Sequence, residues 1–440
     1  MQSQLIVKNF GPIEYVDLNL RNVNVFIGPQ ASGKSALAKI YTIFKAPRKF
    51  LNDIKSNVFS EPATELIFNL VLEEYNVASF LRKDTEITFT SELHSLCYKN
   101  GKLEYTPKLL QRIEQLSSLK ESFSANLEEI KKIVLDFTNN FLLFNFDVFS
   151  ALRRETDEPV GITTIENIQN IDEDNFETIL KSIRKIENNL STNAALYIPA
   201  ERNFINIIKN ASLNLLLNNV PIPKHILSFG AEVEKAGLKD IDLSFLQENL
   251  RYKSVDGEDR IFTGANNSIK LTEAASGIQS VIPILLPILS HRTISAHRSF
   301  VIEEPELNLF PIAQYKLIKQ LESSRKESYW EDYGTIHTYT THSPYILSAI
   351  NNLLYANKVL VKIKTLNNIN EKNKAEEQLK QIIPHHINPY YFTAYQISNG
   401  KAESIFDAQT GLIQDNFIDN ASDAIADDFD ALMELMNQLN

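Results

Sequence analysis

Cysteine is almost absent from this sequence of 440 residues, which contains only Cys97. A single thiol excludes an internal disulfide and a cysteine-based zinc site. The 13 glycines and 16 prolines are too few for a linker-rich or collagen-like chain. Hydrophobic residues make up 43% and charged residues 22%, which is typical of a folded globular protein, and we expect it to work in the cytoplasm.

Long apolar runs are also absent. The longest, 281–289, has nine residues and includes Pro283 and Pro287, whereas a membrane-spanning helix needs about 20 apolar residues. The first residues lack the basic stretch and apolar core of a secretory signal. The sequence therefore predicts no membrane partner.

Positive charge is the minority sign, because the net charge is −11. Bulk electrostatics does not favour nucleic acid as a partner, which would need a local basic groove. The last segment, 415–440, has seven acidic residues and no Lys or Arg. Its apolar residues recur every three or four positions, which predicts an acidic amphipathic helix. That helix would dock on the protein itself or on a partner with a basic groove.

Strand-like and helical patterns alternate in two parts of the chain, 1–50 and 195–365. Each strand is followed by a helical pattern, which predicts an α/β fold with a mixed or parallel sheet. We expect one discontinuous domain, with 366–414 as its C-terminal part. The strands that carry this prediction are 23–27, 195–198, 300–302 and 335–339.

Residues 51–194 have a different character and form a predicted insert, mainly helical. Strand-like segments at 87–89 and 103–105 flank Asn100-Gly101, a strong hairpin turn signal. Apolar residues between 109 and 137 alternate spacings of four and three, as in a heptad seam. This spacing predicts either an amphipathic helix in a bundle or a projecting coiled-coil arm.

One segment fits the phosphate-loop pattern G-x-x-x-x-G-K-[ST] in full: Gly28, Pro29, Gln30, Ala31, Ser32, Gly33, Lys34 and Ser35. Such a loop, between a strand and a helix, wraps a phosphate in backbone N–H groups at the positive end of the helix. We expect Lys34 to reach the β- and γ-phosphates and Ser35 to bind Mg²⁺ through its hydroxyl. The sequence therefore predicts a nucleotide site.

A second motif is the apolar strand that ends in Glu303-Glu304-Pro305-Glu306. Magnesium-assisted phosphoryl transfer needs one carboxylate on the metal and another that orients or deprotonates water. We assign Glu303 to the metal and Glu304 to the water. The alternative is a solvated acidic turn. This interpretation is the weaker one because the same chain contains a phosphate loop.

Two shorter motifs complete the set. Ser276 and Gly277 begin a helical pattern, where they either offer a hydroxyl and N–H groups to a γ-phosphate or only cap the helix. His342 follows a strand and is placed to hydrogen-bond a γ-phosphate. Ser343 and Pro344 beside it also fit the N-cap and first position of a helix, and the two interpretations are compatible.

In this order the four motifs resemble those of ABC-type ATPases of the RecF, SMC and OLD-like group. The segment 7–13 resembles that group's N-terminal strand, and 303–311 its acidic strand and D-loop. The resemblance implies a P-loop NTPase head that binds ATP and Mg²⁺ and hydrolyses ATP, with Glu304 and His342 as catalytic residues. Glu303 stands where many ABC ATPases have aspartate, as in OLD-like relatives.

The resemblance also implies that Ser276 and Gly277, in place of a full Leu-Ser-Gly-Gly signature, complete the ATP site of another protomer. We therefore expect a homo-oligomer, at least a dimer. OLD-family nucleases add a Toprim domain, for which the C-terminal remainder is too short. The helical context of Asp428-Phe429-Asp430 and the isolated His385-His386 pair argue against a metal nuclease centre.

Stand-alone heads of this size resemble the ATPase subunits of bacterial antiphage systems such as PARIS, Septu and the retron-associated ATPases. This resemblance implies a sensor and regulator that holds or gates a separately encoded toxin or nuclease. One alternative is a RecF-like or SMC-like repair ATPase that binds duplex DNA. Another is a nucleotide-dependent scaffold that does not hydrolyse ATP.

Overall fold

The computed structural model describes residues 3–45, 61–91, 94–119, 126, 128–132, 180, 195–218, 220–264, 267–291, 299–325, 335–414 and 416–438. The strands are β1 Ser3–Phe10, β2 Ile13–Leu20, β3 Val23–Ile27, β4 Glu86–Thr90, β5 Ser95–Lys99, β6 Lys102–Thr106, β7 Ala195–Ile198, β8 Asp240–Asp242, β9 Arg251–Val255, β10 Glu258–Phe262, β11 Ser268–Lys270, β12 Ser299–Glu303, β13 Ile336–Thr341, β14 Phe392–Ser398, β15 Lys401–Ser404, β16 Phe406–Asp407 and β17 Leu412–Ile413.

The α-helices are α1 Lys34–Lys45, α2 Glu61–Glu74, α3 Lys108–Leu119, α4 Phe204–Leu217, α5 Lys224–Lys235, α6 Ser276–His291, α7 Pro311–Ser324, α8 Pro344–Lys364, α9 Ile369–Ile382 and α10 Phe417–Gln438. Short 3₁₀ turns lie at Ala78–Phe80, Ala200–Asn203, Leu271–Glu273 and Pro389–Tyr391. Among the described residues, no helix is both long and apolar enough to cross a bilayer.

In the described part of the chain eleven strands form the main sheet, in the order β6-β5-β4-β1-β2-β15-β14-β3-β13-β12-β7. The five strands from β14 to β7 run parallel to their neighbours. At the other side of the sheet the β1, β2, β4, β5 and β6 pairs are antiparallel, and β15 meets β14 antiparallel and β2 in parallel. The predicted α/β fold with a mixed sheet is confirmed.

The parallel strands are buried on both faces, because alternate side chains enter two different cores. Val25 and Ile27 of β3 pack in the core that contains α6, α7 and α8. Phe26 between them packs on the opposite face, in the core that contains α1. Burial of each such side chain stabilises the fold by about 1.5–3 kcal/mol, so the strand ends are rigidly positioned.

The Asn100-Gly101 turn is confirmed, with φ of 51° and 75° at its two residues. It joins β6 to β5, with Lys99 opposite Lys102, so the partner predicted at 87–89 was wrong. That segment is β4, which pairs with both β1 and β5. Part of the predicted insert 51–194 therefore extends the main sheet. Most of the predicted heptad helix beyond α3 lies outside the described residues, and the domain division stays a prediction.

Candidate nucleotide site

Parallel pairing brings the predicted site residues to one edge of the sheet. β3, β13, β12 and β7 are neighbours in that order, and the segments after their carboxyl ends meet at this edge. The phosphate loop (residues 28–35) follows β3, and the acidic turn (residues 303–309) follows β12. His342 follows β13 between them, so three motifs that are far apart in sequence become neighbours.

Backbone conformation in the phosphate loop depends on its glycines. Gly33 has φ of 103°, and a Cβ there would lie 2.4 Å from the Ile13 side chain. A Cβ at Gly28 would lie 2.2 Å from the main-chain oxygen of Ile397 in β14. Ala31 also has a positive φ, of 60°. Only residues without a bulky side chain allow this tight path from β3 into α1.

Lys34 is buried at the start of α1, only 5% exposed. Its Nζ donates to the main-chain oxygens of Gly28 and Pro29, each at 2.8 Å. Burial lowers the pKa of Lys34 to about 8, against the opposing charges of nearby carboxylates, Glu304 first. Phosphate oxygens are stronger acceptors than carbonyls, so a triphosphate in the loop can take over these hydrogen bonds.

Glu303 ends β12 with its side chain buried. Burial raises the pKa of its carboxyl, opposed by the nearby hydroxyls of Tyr197 and Ser35. Within the described part of the chain, Glu303 Oε1 and the Tyr197 hydroxyl have no hydrogen-bond partner of normal geometry. A buried carboxylate oxygen without a donor, beside a serine hydroxyl, suits a cation. Mg²⁺ normally takes few protein ligands besides waters and phosphate oxygens.

Glu304 has a left-handed backbone, with φ of 42°. Its N–H donates to the main-chain oxygen of Thr340 in β13 at 2.9 Å. Its Oε1 lies 3.6 Å from His342 Nε2, and both side chains are about one-third exposed. Burial lowers the pKa of His342, with Lys34 acting in the same direction and Glu304 against it. A neutral His342 at pH 7 follows from this shift.

Glu306 was not predicted as a site residue. Its Oε1 accepts hydrogen bonds from Thr341 Oγ1 and the His342 N–H, both at 2.8 Å. Burial raises the pKa of the Glu306 carboxyl. The carboxylate therefore holds the segment that carries His342 against the acidic turn. Ser343 accepts from the Tyr345 N–H at 3.1 Å, which confirms the predicted N-cap of α8.

Ser276 and Gly277 form the start of α6, as predicted. Ser276 is exposed. A Cβ at Gly277 would lie 2.7 Å from the main-chain oxygen of Asn308, so α6 packs tightly on the acidic turn. None of the contacts found among the described residues joins Ser276 to the phosphate loop of its own chain.

Arg202 is a second residue that the sequence analysis missed. It follows β7 and is fully buried, and its guanidinium donates to the main-chain oxygens of Glu303 at 2.7 Å and Glu304 at 2.8 Å. A signal was present, because an arginine directly after a buried strand, Pro199-Ala200-Glu201-Arg202, must place its charge near a sheet edge. Its acceptors could not be inferred from local sequence.

Among the described residues no group of three or more His, Cys, Asp or Glu side chains could hold a metal ion. Asp428 and Asp430 lie within helix α10, so the predicted helical context of this pair is confirmed. Outside the nucleotide site we therefore assign no metal ligands.

A phosphate loop, an adjacent acidic strand end and a mixed sheet with helices on both faces define a P-loop nucleotide-binding protein. The family model described as "AAA ATPase domain" matches residues 1–347, and the chain belongs to this family. No curated protein matches the sequence.

Solved structures similar to this chain include heads of SMC proteins. The SMC head domain from Thermotoga maritima has 11% identity and a TM-score of 0.38, over 92% of this chain and 98% of that one. An Smc head from Pyrococcus furiosus, bound to the C-terminal domain of ScpA, has 8% identity and a TM-score of 0.36. That match covers 92% of this chain and 95% of the Smc chain.

Proposed function

We propose that this protein is a magnesium-dependent ATPase of the ABC type. The observation that carries the proposal is the shared sheet edge of β3, β13 and β12, which brings Lys34, Glu303, Glu304 and His342 together. Lys34 and the loop N–H groups bind the phosphates, and Ser35 and Glu303 hold Mg²⁺. Bound Mg²⁺ would neutralise charge that develops on the phosphate oxygens.

Glu304 would orient the attacking water and accept its proton. Its carboxylate is partly exposed, whereas Glu303 is buried. Glu306 Oε1 already accepts from the Thr341 hydroxyl and the His342 N–H. The 3.6 Å separation from His342 leaves the imidazole free to hydrogen-bond the same water or the γ-phosphate. This division of roles follows from the burial of Glu303 and from the hydrogen bonds that occupy Glu306.

The proposed site is completed by a second copy of the chain. Ser276 is exposed. Next to the acidic turn, Phe310 is 83% exposed and Ile312 62%, and Tyr345 near His342 is 49% exposed. Large apolar side chains beside a polar site are typical of surfaces that another protein covers. Their position supports a dimer in which Ser276 and Gly277 of one copy face the nucleotide of the other.

Glu304→Gln tests this proposal. We expect turnover to fall at least about 100-fold, since the base is lost. ATP binding should persist, and ATP-bound dimers should accumulate in light scattering. Lys34→Ala should instead lose nucleotide affinity, and Glu403→Gln, an exposed glutamate on β15, should behave as wild type. A Glu304→Gln protein that keeps its turnover would contradict the role of Glu304 as the base, whereas a wild-type protein without turnover whose Glu304→Gln variant assembles normally would support the non-hydrolysing scaffold.

The regulatory role is proposed for the C-terminal helix α10. Phe429, Leu432, Met433 and Met436 are exposed and fall at the spacing of one helix face. Acidic residues border this apolar face, so two copies would bring like charges together. The face therefore fits an apolar groove with a basic rim on a different protein, which supports the proposal of a separately encoded effector toxin or nuclease.

Co-expression with the product of an adjacent gene tests the effector proposal. Phe429→Ser with Leu432→Ser should abolish co-purification, and Val361→Ser, an equally exposed position on α8, should not. Co-purification that survives the double change would contradict docking on α10. The DNA-repair alternative stays a prediction, and salt-sensitive binding of duplex DNA by the wild-type protein would support it.

A further inference from the structure

Among the described residues, the partners of the fully buried Arg202 are all main-chain oxygens. Nε donates to Ser280 at 3.0 Å, Nη1 to Pro199 at 3.1 Å and Glu303 at 2.7 Å, and Nη2 to Glu304 at 2.8 Å. These acceptors lie at the end of β7, in the second turn of α6 and at the end of β12. One guanidinium group therefore ties together three segments that are distant in sequence.

Asn206 makes a second link to α6. Pro283 has no N–H and cannot donate to the main-chain oxygen of Gln279, as a helix would otherwise require. Asn206 Nδ2 donates to that oxygen instead, at 3.0 Å. Asn206 follows Arg202 by four positions, and the two residues hold adjacent carbonyls of α6. We refer to the pair as the Arg202–Asn206 clamp.

The first turn of α6 also packs directly on the acidic turn. Gly277 approaches Asn308 so closely that a Cβ would lie 2.7 Å from its main-chain oxygen. Asn308 Nδ2 donates to Ser280 Oγ at 3.2 Å. Together with the clamp, these contacts mean that Ser276 and Glu304 cannot shift independently without breaking several hydrogen bonds.

A lysine at position 202 could not make the same set of hydrogen bonds. The planar guanidinium presents donors on three nitrogens in a fixed geometry, whereas an ammonium presents three donors on one atom. Burial lowers the pKa of Arg202 to about 10, opposed by the charges of nearby carboxylates, Glu306 first, so the group stays charged at neutral pH. The bonds to Glu303 and Glu304 therefore remain charge-assisted.

We propose that the Arg202–Asn206 clamp holds the acidic turn and the start of α6 in a fixed position relative to each other and so couples two nucleotide sites. It links the acidic turn beside one nucleotide to Ser276 and Gly277, which serve the nucleotide of the partner copy. This rests on the proposed composite ATPase. Hydrolysis and ATP-driven association then require the clamp, and nucleotide binding in the phosphate loop does not.

Arg202→Lys and Asn206→Ala test the clamp. For each variant, the measurements are affinity for a fluorescent ATP analogue, ATP-driven association by light scattering, kcat, and the Hill coefficient for ATP. We expect nucleotide affinity to stay within about threefold, while kcat and association affinity fall about tenfold or more and the Hill coefficient falls toward one. Asn206→Ala removes only the hydrogen bond to Gln279 and is the milder change.

Lys209→Ala is the matched control. Lys209 lies one turn further along α4 and pairs with Asp259 on β10, away from the acidic turn. Thermal melting of every variant shows whether it folds. If Arg202→Lys does not fold, the results for Asn206→Ala test the coupling.

Folded variants with unchanged kcat, association and Hill coefficient would overturn the coupling. So would a parallel loss of thermal stability and nucleotide affinity, which marks a purely structural role. A wild-type protein that neither hydrolyses ATP nor forms dimers in its presence would refute the proposed function itself. That result differs from an active wild type with active clamp variants, which would refute only the clamp.

Discussion

Lys34 is a buried ammonium group that donates to two carbonyl oxygens of the phosphate loop and, at 3.4 Å, to Ser32 Oγ. Burial disfavours its charge, which is why its pKa is lowered to about 8. Glu303 shows the same effect with the opposite sign, since burial raises the pKa of its carboxyl. At both groups a ligand of opposite charge would offset the cost of burying the charge.

For Lys34→Met we expect a more stable protein that no longer binds ATP. Between pH 8 and 10.5 the unfolded chain binds the Lys34 proton and the folded chain does not. The free energy cost of burying Lys34 in the wild type therefore decreases as pH rises through this range. The charge therefore costs stability at pH 7, and its removal should add about 1–2 kcal/mol. Urea denaturation at pH 7 and pH 9.5 measures this.

The control for that experiment is Lys401→Met, at an exposed position on β15. It should leave stability unchanged at both pH values. Equal stabilities of wild type and Lys34→Met at pH 7 would contradict a cost of burying the ammonium group.

At the scale of helices, two glycines that look alike in sequence have opposite environments. Gly230 in α5 has its nearest neighbours to a Cβ at 3.8 Å, whereas Gly277 in α6 has a main-chain oxygen at 2.7 Å. Gly230→Ala should stabilise the protein by about 0.5–1 kcal/mol through helix propensity. Gly277→Ala should destabilise it despite the same propensity gain. Thermal denaturation of both variants tests the contrast, and a stabilised Gly277→Ala protein would contradict it.

A buried ion network joins α7 to β13. Glu322 Oε1 accepts from the Tyr339 hydroxyl at 2.6 Å and lies 3.0 Å from His337 Nδ1, and Oε2 accepts from Arg325 Nε at 3.0 Å. Burial opposes ionisation of Glu322, but the hydrogen bond and charge of His337, helped by Arg325 and Tyr339, outweigh it. The pKa of Glu322 falls from 4.5 to about 2.

Because the folded-state pKa is depressed, Glu322 stabilises the fold above pH 4.5, and this stabilisation is lost as pH falls toward 2. The shift corresponds to about 3 kcal/mol. Glu322→Gln should be less stable at pH 7 and lose less stability between pH 4.5 and 3 than wild type. Denaturant titrations at pH 7, 4.5 and 3 measure the free energy of unfolding, with Glu377→Gln at an exposed position as the control. Parallel pH profiles for Glu322→Gln and wild type would refute it.

At the scale of the whole molecule, the described residues in the second half of α10 lie away from the core. Residues 426–434 are exposed, whereas Phe417 and Ile418 at its start pack against the core. Deletion of 426–440 should therefore leave the melting temperature and basal ATPase rate unchanged. A drop in melting temperature of more than about 4 °C would show that the end of the helix stabilises the head.

The sequence predicted the phosphate loop, the paired glutamates, His342 and the Ser343 cap, because each depends on residues adjacent in the chain. It missed Glu306, whose acceptor role is set by a contact with His342 across 36 positions. It also missed β5, because Asn100-Gly101 marks a turn and does not identify the partner strand.

Local spacing alone thus predicted which residues would bind phosphate and metal, since a strand, a tight loop and a helix start are built from consecutive residues. Only the tertiary structure decided how those motifs are joined. The acceptors of Arg202 lie up to 102 positions away, at Glu304. A buried guanidinium must satisfy its donors with whatever carbonyls the packed strands and α6 present, and no local pattern specifies those partners.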